Sequence, residues 1–295
     1  MLLIGDVREK IKEIKDESVQ AIVTSPPYWG LRDYDESNQI GQEKIPEEFI
    51  YNILQLSWDL KRILKDDGIF WLNLGDTYYG PKGGHWSSDN SFTNDETGTK
   101  YREQRKAPPK HSYLKTKDLV GVPWKTAIAL QQNGWYIRND IIWSKNNPMP
   151  EAVKDRFAKS HEHIFMLTKK PNYYFDYEAV LEPYTKPLNR WGGDNYNDVE
   201  VSKYENNPNG KTRKDVWKLN TSSYKGGHFA VFPEDIPELC IKASTKKGDT
   251  VLDPFMGSGT TAVVAKKLER KWIGIELNPE YAQIINDRTC QTELF

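Results

Sequence analysis

Cysteine is almost missing. Cys240 and Cys290 are the only two in 295 residues, too few for a disulfide framework or a thiolate metal site. Long apolar runs are missing as well: no stretch approaches the roughly 18 apolar residues of a membrane span, so neither a helical membrane protein nor a membrane partner is expected. The N-terminus, MLLIGDVREKIKEIKDESV, turns charged at Asp6 and offers no small-residue cleavage site, which speaks against a secretory signal and for the cytoplasm. Charge of one sign is not in excess. With 41 basic and 42 acidic residues the net charge is −1, so bulk charge gives no hint of nucleic acid, although a groove attracts phosphate through its own local field.

What is present is sharply punctuated. In Ser18–Tyr28 (SVQAIVTSPPY) an apolar run, Ala21 to Val23, is stopped by two prolines that cannot continue a ladder, which predicts a buried strand ending abruptly. Over Pro46–Lys65, Phe49, Ile50, Ile53, Leu54, Leu56, Leu60, Ile63 and Leu64 fall near helical spacing, with Pro46 suited to the first turn and Gly68 just beyond the end. Gly68–Leu74 (GIFWLNL) then reads as a strand, so the unit predicts a parallel pair with a right-handed crossover. Asp118–Gln132 reads as a helix capped by Asp118, and Trp135–Trp143 and His161–Thr168 read as strands.

The clearest pattern is the last. Pro237–Lys247 suggests a helix, Thr250–Asp253 a strand, Gly257–Leu268 a helix, Trp272–Leu277 a strand and Pro279–Arg288 a helix. This is the opening half of a nucleotide-binding α/β fold, yet it starts too near the C-terminus to leave room for the rest of the sheet. The remaining strands must come from the N-terminal portion, so the sheet is expected to be circularly permuted. Two irregular insertions interrupt it, Tyr78–Lys117 and Glu182–Gly227, the second reading as a separate lobe or a long loop.

Two motifs carry chemistry. Asp253–Thr261 (DPFMGSGTT) follows a strand and opens a helix, its Gly257 and Gly259 permit close backbone approach to a ligand, and Glu276 ends the next strand where an acid can bind a ribose diol. No Gly-Lys-Ser/Thr follows, which disfavours a phosphate-cradling loop, and Ala262 stands where a dinucleotide fingerprint has its third glycine. Ser25-Pro26-Pro27-Tyr28 ends another strand. Both loops would face one crevice if their strands are neighbours where the strand order reverses.

With these motifs in place the chain resembles a site-specific DNA amino-methyltransferase of the permuted β group. Thr24–Trp29 (TSPPYW) is similar to that family's catalytic motif, Asp253–Thr261 to its cofactor loop, and Gly274–Tyr281 (GIELNPEY) to the strand whose acid binds the cofactor ribose. Gly5-Asp6 occupies the place of the adenine contact, and His228–Pro233 (HFAVFP) that of the segment around the methionine moiety. The resemblance implies a Rossmann-like S-adenosylmethionine-dependent methyltransferase sheet. It implies a catalytic set of Ser25, Pro26, Pro27 and Tyr28, and S-adenosylmethionine held by Asp6, Thr24, Phe229, Asp253, Pro254, Phe255, Gly257, Ser258, Gly259, Thr260, Glu276 and Asn278. The expected partition is 1–80 for the catalytic-motif half, 81–117 for a flexible insertion, 118–181 for the rest of that half, 182–227 for target recognition and 228–295 for the cofactor half. Double-stranded DNA is the implied partner, with a companion restriction endonuclease left open.

The chemistry agrees with the residues. An exocyclic base amine is a poor nucleophile because its lone pair is delocalised into the ring, so acceptors must hold its hydrogens as nitrogen pyramidalises; Ser25 Oγ and the Pro26 carbonyl are the candidates. Tyr28 would stack on an extruded base. Ser25 carries no charge, so the proton is expected to leave to water and not through a strong base. A Ser at this position accompanies cytosine-N4 methylation more often than adenine-N6 in the family, so cytosine is favoured and adenine stays open. An oxidoreductase would share the glycine loop but gives Ser25–Tyr28 no role, and a silent DNA-binding module would not need both motifs intact. His161 and His163 alternate on a strand without a third ligand, and no metal site is expected. Basic residues from Lys100 to Lys117, and Lys211, Arg213, Lys214, Lys218 and Lys225 with Trp217 and Tyr224, are candidates for phosphate or base-edge contacts.

Overall fold

The computed structural model describes residues 1–31, 39–80, 93–94, 100–101, 110–184, 207–222 and 232–291. Phe229, Tyr224, Lys225, Arg102, Arg105 and Lys106 lie outside the described residues. The strands are β1 (Leu2–Ile4), β2 (Val19–Thr24), β3 (Leu64–Leu74), β4 (Thr93–Asn94), β5 (Lys100–Tyr101), β6 (Tyr136–Lys145), β7 (His161–Thr168), β8 (Val216–Leu219), β9 (Thr250–Asp253) and β10 (Lys271–Glu276). The helices are α1 (Val7–Lys10), α2 (Pro46–Ile63), α3 (Val122–Gln132), α4 (Asp235–Ser244), α5 (Thr260–Lys267) and α6 (Tyr281–Gln291).

Among the described residues one sheet has the order β1-β10-β9-β2-β3-β7-β6-β8, with β4 and β5 forming a separate ribbon. Only β7 runs against its neighbours, β3 and β6. All six residues of β2 are buried, the pattern of a strand covered on both faces. Alternate side chains go to opposite sides: Ile22, Phe70 and Leu252 pack with Phe49, Leu60 and Leu130 of α2 and α3, while Val23, Ile69, Trp71 and Val251 pack with Ile241, Val264 and Ala265 of α4 and α5.

The chain leaves β9 through α5 toward β10 on one side, and leaves β2 through α2 toward β3 on the other. These two strands are adjacent, Ala21 opposite Val251 and Ile22 opposite Leu252, so the strand order reverses between them. That junction is the place where open α/β sheets bind ligands. The expected permutation is therefore present, and the N-terminal β1 completes it by pairing with β10, Ile4 opposite Glu276.

Four readings need correction. Helix α2 ends at Ile63 and runs directly into β3, because the Arg62 and Ile63 carbonyls accept from the Glu17 and Ser18 amides at 3.1 and 3.0 Å; Gly68 lies inside the strand and no terminal glycine is required. Helix α3 begins at Val122, and Asp118 does not cap it. The cap comes from Asp76, beyond the end of β3, whose carboxylate accepts from Gly121 N at 3.0 Å and Val122 N at 3.1 Å. The second irregular stretch is not wholly a lobe or loop, since it supplies β8 to the sheet edge. Its Trp217 is buried in the core with Nε1 donating to the Lys214 carbonyl at 3.0 Å, so the indole is not a base reader. Among the described residues no helix is long and apolar enough to cross a membrane.

Because Asp76 satisfies otherwise orphaned buried amides at a helix start, Asp76→Ala should destabilise the fold by about 1–3 kcal/mol. Urea unfolding checks this, and the midpoint should fall without a change in slope.

Candidate active site

At the carboxyl end of β2, Thr24 reaches across the sheet. Its Oγ1 donates to Asp253 Oδ1 at 2.6 Å, Phe255 N donates to the same oxygen at 3.0 Å, and Thr261 Oγ1 donates to Oδ2 at 2.7 Å. The Asp253 carboxyl is thus fully buried yet satisfied from three directions. Burial nevertheless outweighs those bonds and pushes its pKa up to about 6. Thr24, Asp253 and Pro254 are buried and form the seam beneath the crevice, while Phe255 is half-exposed.

The loop that follows is left-handed at Gly257 (φ +52°) and Gly259 (φ +86°), so the α5 helix starts at Thr260, later than its sequence pattern suggested. From α6, Arg288 Nη1 donates to the Ser258 carbonyl at 2.7 Å and to its Oγ at 2.8 Å, holding the loop from outside. Glu276 Oε2 accepts from Gly257 N at 2.7 Å, and Oε1 accepts from Asn278 N at 3.0 Å. Burial raises the Glu276 pKa to about 7, with the neighbouring Asp253 adding to the rise. Beside it, Gly5 N donates to the Glu276 carbonyl at 2.8 Å, and Asp6 caps α1 through Arg8 N at 2.9 Å.

Asp6, Gly257, Glu276 and Asn278 therefore converge at the carboxyl ends of β1, β9 and β10. A buried carboxylate beside backbone that can approach a ligand closely suits an acceptor for a ribose diol, and these residues fit S-adenosylmethionine. Phe229 lies outside the described residues.

The Ser25–Tyr28 loop sits across the same junction. Ser25 Oγ donates to Tyr28 Oη at 3.2 Å, and Tyr28 Oη donates to Glu162 Oε2 at 2.5 Å. Asn73 Nδ2 donates to the same Glu162 oxygen at 3.1 Å, and Lys145 pairs with the other. The Tyr28 ring lies so close to Gly75 that a Cβ there would come within 2.6 Å of Cε2. Pro26 is buried and Trp29 belongs to the core, its Nε1 donating to the Glu43 carbonyl at 2.9 Å. His163 is buried against Asp140 at 2.9 Å with the His161 ring beside it. Among the described residues no group of three such side chains could hold a metal.

Glu162, Asn73, Lys145, Gly75 and Arg288 escaped the sequence reading. A signal was available for two of them: Asn73 and Glu162 are polar residues in otherwise apolar strands, GIFWLNL and HEHIFMLT.

Fold and crevice together define a Rossmann-like S-adenosylmethionine-dependent methyltransferase. The chain belongs to the N6/N4 DNA methylase family, whose model matches residues 19–287, and is an S-adenosylmethionine-dependent DNA amino-methyltransferase. It is similar to the Type II methyltransferase M.SmaI of Serratia marcescens, with 45% identity covering 97% of this chain and 89% of the relative. It is also similar to the Type II methyltransferase M.Cfr9I of Citrobacter freundii, with 43% identity over 97% and 86%. Among solved structures, the PvuII DNA methyltransferase, described as cytosine-N4-specific, shares the fold with a TM-score of 0.66 and 20% identity over 97% of this chain and 85% of its own. The Thermus thermophilus protein TTHA0409, complexed with S-adenosyl-L-methionine, does so with a TM-score of 0.60 and 22% identity over 99% of this chain and 95% of its own.

A carboxyl whose folded pKa lies above its unfolded value binds its proton more tightly in the native state. For Glu276 that window runs from 4.5 to about 7, and for Asp253 from 3.8 to about 6, so stability of the ligand-free protein should fall as pH rises through both. Glu276 alone contributes on the order of 3 kcal/mol to that fall. Denaturant midpoints measured from about pH 5 to about pH 8 should decline for the parent and decline less for Glu276→Gln.

Proposed function

We propose that this methyltransferase modifies the N4 amine of cytosine in double-stranded DNA, as the modification partner of a type II restriction endonuclease in the cytoplasm. The observation that carries the cytosine assignment is an uncharged hydroxyl, Ser25 Oγ, at the head of the catalytic loop, linked by a hydrogen bond to Tyr28. The Type II relatives M.SmaI and M.Cfr9I support the restriction context, and the cytosine-N4 specificity of the PvuII methyltransferase supports the base. Adenine-N6 is the alternative.

In this reading Asp6, Thr24, Asp253–Phe255, Gly257–Thr260, Glu276 and Asn278 form the cofactor site. When bound, S-adenosylmethionine supplies an electrophilic sulfonium methyl group. Ser25 Oγ and the Pro26 carbonyl accept the amine hydrogens and turn the nitrogen lone pair out of conjugation, an interaction that strengthens as nitrogen pyramidalises. The target nucleotide is extruded from the duplex at a cost of a few kcal/mol, and the Tyr28 ring, held against Gly75, offers about 1–3 kcal/mol of stacking in return. Residues 1–80 and 118–181 form the catalytic half, except that β1 and Asp6 join the cofactor half, 228–295, through β10. Target recognition falls to 182–227 outside β8, whose residues are committed to the sheet.

Glu276→Ala should weaken S-adenosylmethionine binding by about 1.5–3 kcal/mol in calorimetry, the scale of a charge-assisted hydrogen bond. Nucleosides digested from DNA methylated by the enzyme should contain N4-methylcytosine by mass spectrometry. N6-methyladenine would establish the alternative, and 5-methylcytosine would overturn the proposed chemistry.

A further inference from the structure

We infer that Glu162 is the terminal proton acceptor of the reaction, reached from the target amine through Ser25 and Tyr28. A carboxylate can only accept, so the bond between Tyr28 Oη and Glu162 Oε2 at 2.5 Å fixes the direction of the Tyr28 proton. The Tyr28 oxygen is then left to accept from Ser25, 3.2 Å away, and that orients the Ser25 hydroxyl. The Ser25 lone pairs can then take a hydrogen bond from outside the loop. The chain of hydroxyls is thus polarised in one direction, from the crevice to a carboxylate.

The carboxylate is built for the task. Glu162 is anchored by Asn73 from β3 and by Lys145 from β6, so it presents a fixed oxygen to Tyr28. Its side chain is only 13% exposed, which limits competition from bulk water. The titratable groups that face or feel it are Tyr28, Lys145, Lys159 and His161.

The inference rests on the reading of Ser25 as the amine's acceptor. As the new nitrogen–carbon bond forms and the sulfonium carbon–sulfur bond breaks onto sulfur, one amine proton passes to Ser25 Oγ, the Ser25 proton to Tyr28 Oη and the Tyr28 proton to Glu162. The products are a neutral secondary amine, a neutral thioether and a protonated Glu162, so charge and atoms balance without a further reactant. The carboxyl then returns its proton to solvent. The proton thus reaches water by way of Glu162, whereas the sequence reading has it leave to water without a strong base.

Glu162→Gln keeps an acceptor for Tyr28 but removes the base. It should lower single-turnover methylation by about 10²-fold or more, the usual range for general-base catalysis. Calorimetric affinities for S-adenosylmethionine and for duplex DNA should stay within about threefold of the parent, because neither ligand needs the proton acceptor to bind. Tyr28→Phe keeps the ring and cuts the relay, so it should lose a comparable factor, and the double variant should be little slower than either single one. A Glu162→Gln enzyme with the parent rate, a loss confined to affinity, or fully multiplicative losses in the double variant each overturn the relay. Ser25→Ala separates the two readings: if it retains the parent rate, the assignment of Ser25 itself fails, whereas a slow Ser25→Ala beside a fast Glu162→Gln removes the relay alone.

Discussion

The structure turns on one buried carboxyl. Asp253 receives Thr24 from a strand 229 residues away in sequence, Thr261 from the helix after the glycine loop, and the amide of Phe255. Hydrogen bonds to a charged group are worth about 1.5–3 kcal/mol each, and moving a carboxylate out of water costs several kcal/mol even after relaxation. The raised pKa of Asp253 shows that burial outweighs the bonds. What the arrangement provides is geometry. Removing Thr24 or Thr261 would leave a buried carboxyl short of donors, so neither half of the sheet can slide along the other without penalty.

That seam is what makes a permuted order workable. The strand that starts the nucleotide-binding half lies near the C-terminus, and the strand that starts the other half lies near the N-terminus. Their junction is therefore closed by tertiary contacts alone, with β2 and β9 sharing two register pairs and the Thr24–Asp253 bond. On the far side β1 pairs with β10, so the N-terminus adds a second clasp to the C-terminal half and sets Gly5 N on the Glu276 carbonyl. The Ser25–Tyr28 and Asp253–Thr261 loops then leave adjacent strands at the same edge.

The inner strands β2, β3, β6, β7, β9 and β10 were legible in the sequence as apolar runs, several closed by proline, glycine or an acid, whereas the edge strands β1 and β8 were not; α2 shows its face at Phe49, Ile53, Leu56, Leu60 and Ile63. The two loops were legible because glycine and proline fix backbone geometry locally. Signals that depend on distant partners were not. Asp118 looked like a cap because it precedes the helix, whereas the donors of α3 are taken by Asp76, 45 residues upstream of Gly121. Strand β8 has four residues in a polar stretch, and only its pairing with β6 and the burial of Trp217 reveal it. Arg288 reads as an ordinary basic residue in the last turn of α6 until the fold sets it against Ser258.

Glu162 belongs to a different category, and strand direction explains it. In a parallel sheet, functional residues are sought where strands end, because their carboxyl ends line the crevice. Thr24, Asp253 and Glu276 each end a strand at that edge. Strand β7 runs the other way, with Leu74 opposite His163 and Asn73 opposite Ile164, so the beginning of β7 lies beside the end of β3. A residue at the amino-terminal end of β7 is thereby delivered to the edge that the other strands reach with their last residues. The reversal also places Lys145, at the end of β6, next to Glu162, since β6 runs antiparallel to β7. One antiparallel strand thus gives the crevice a carboxylate and its counter-charge without lengthening any loop. It also leaves the Ser25–Tyr28 loop with an uncharged serine at its head, and the negative charge two hydroxyl groups further back.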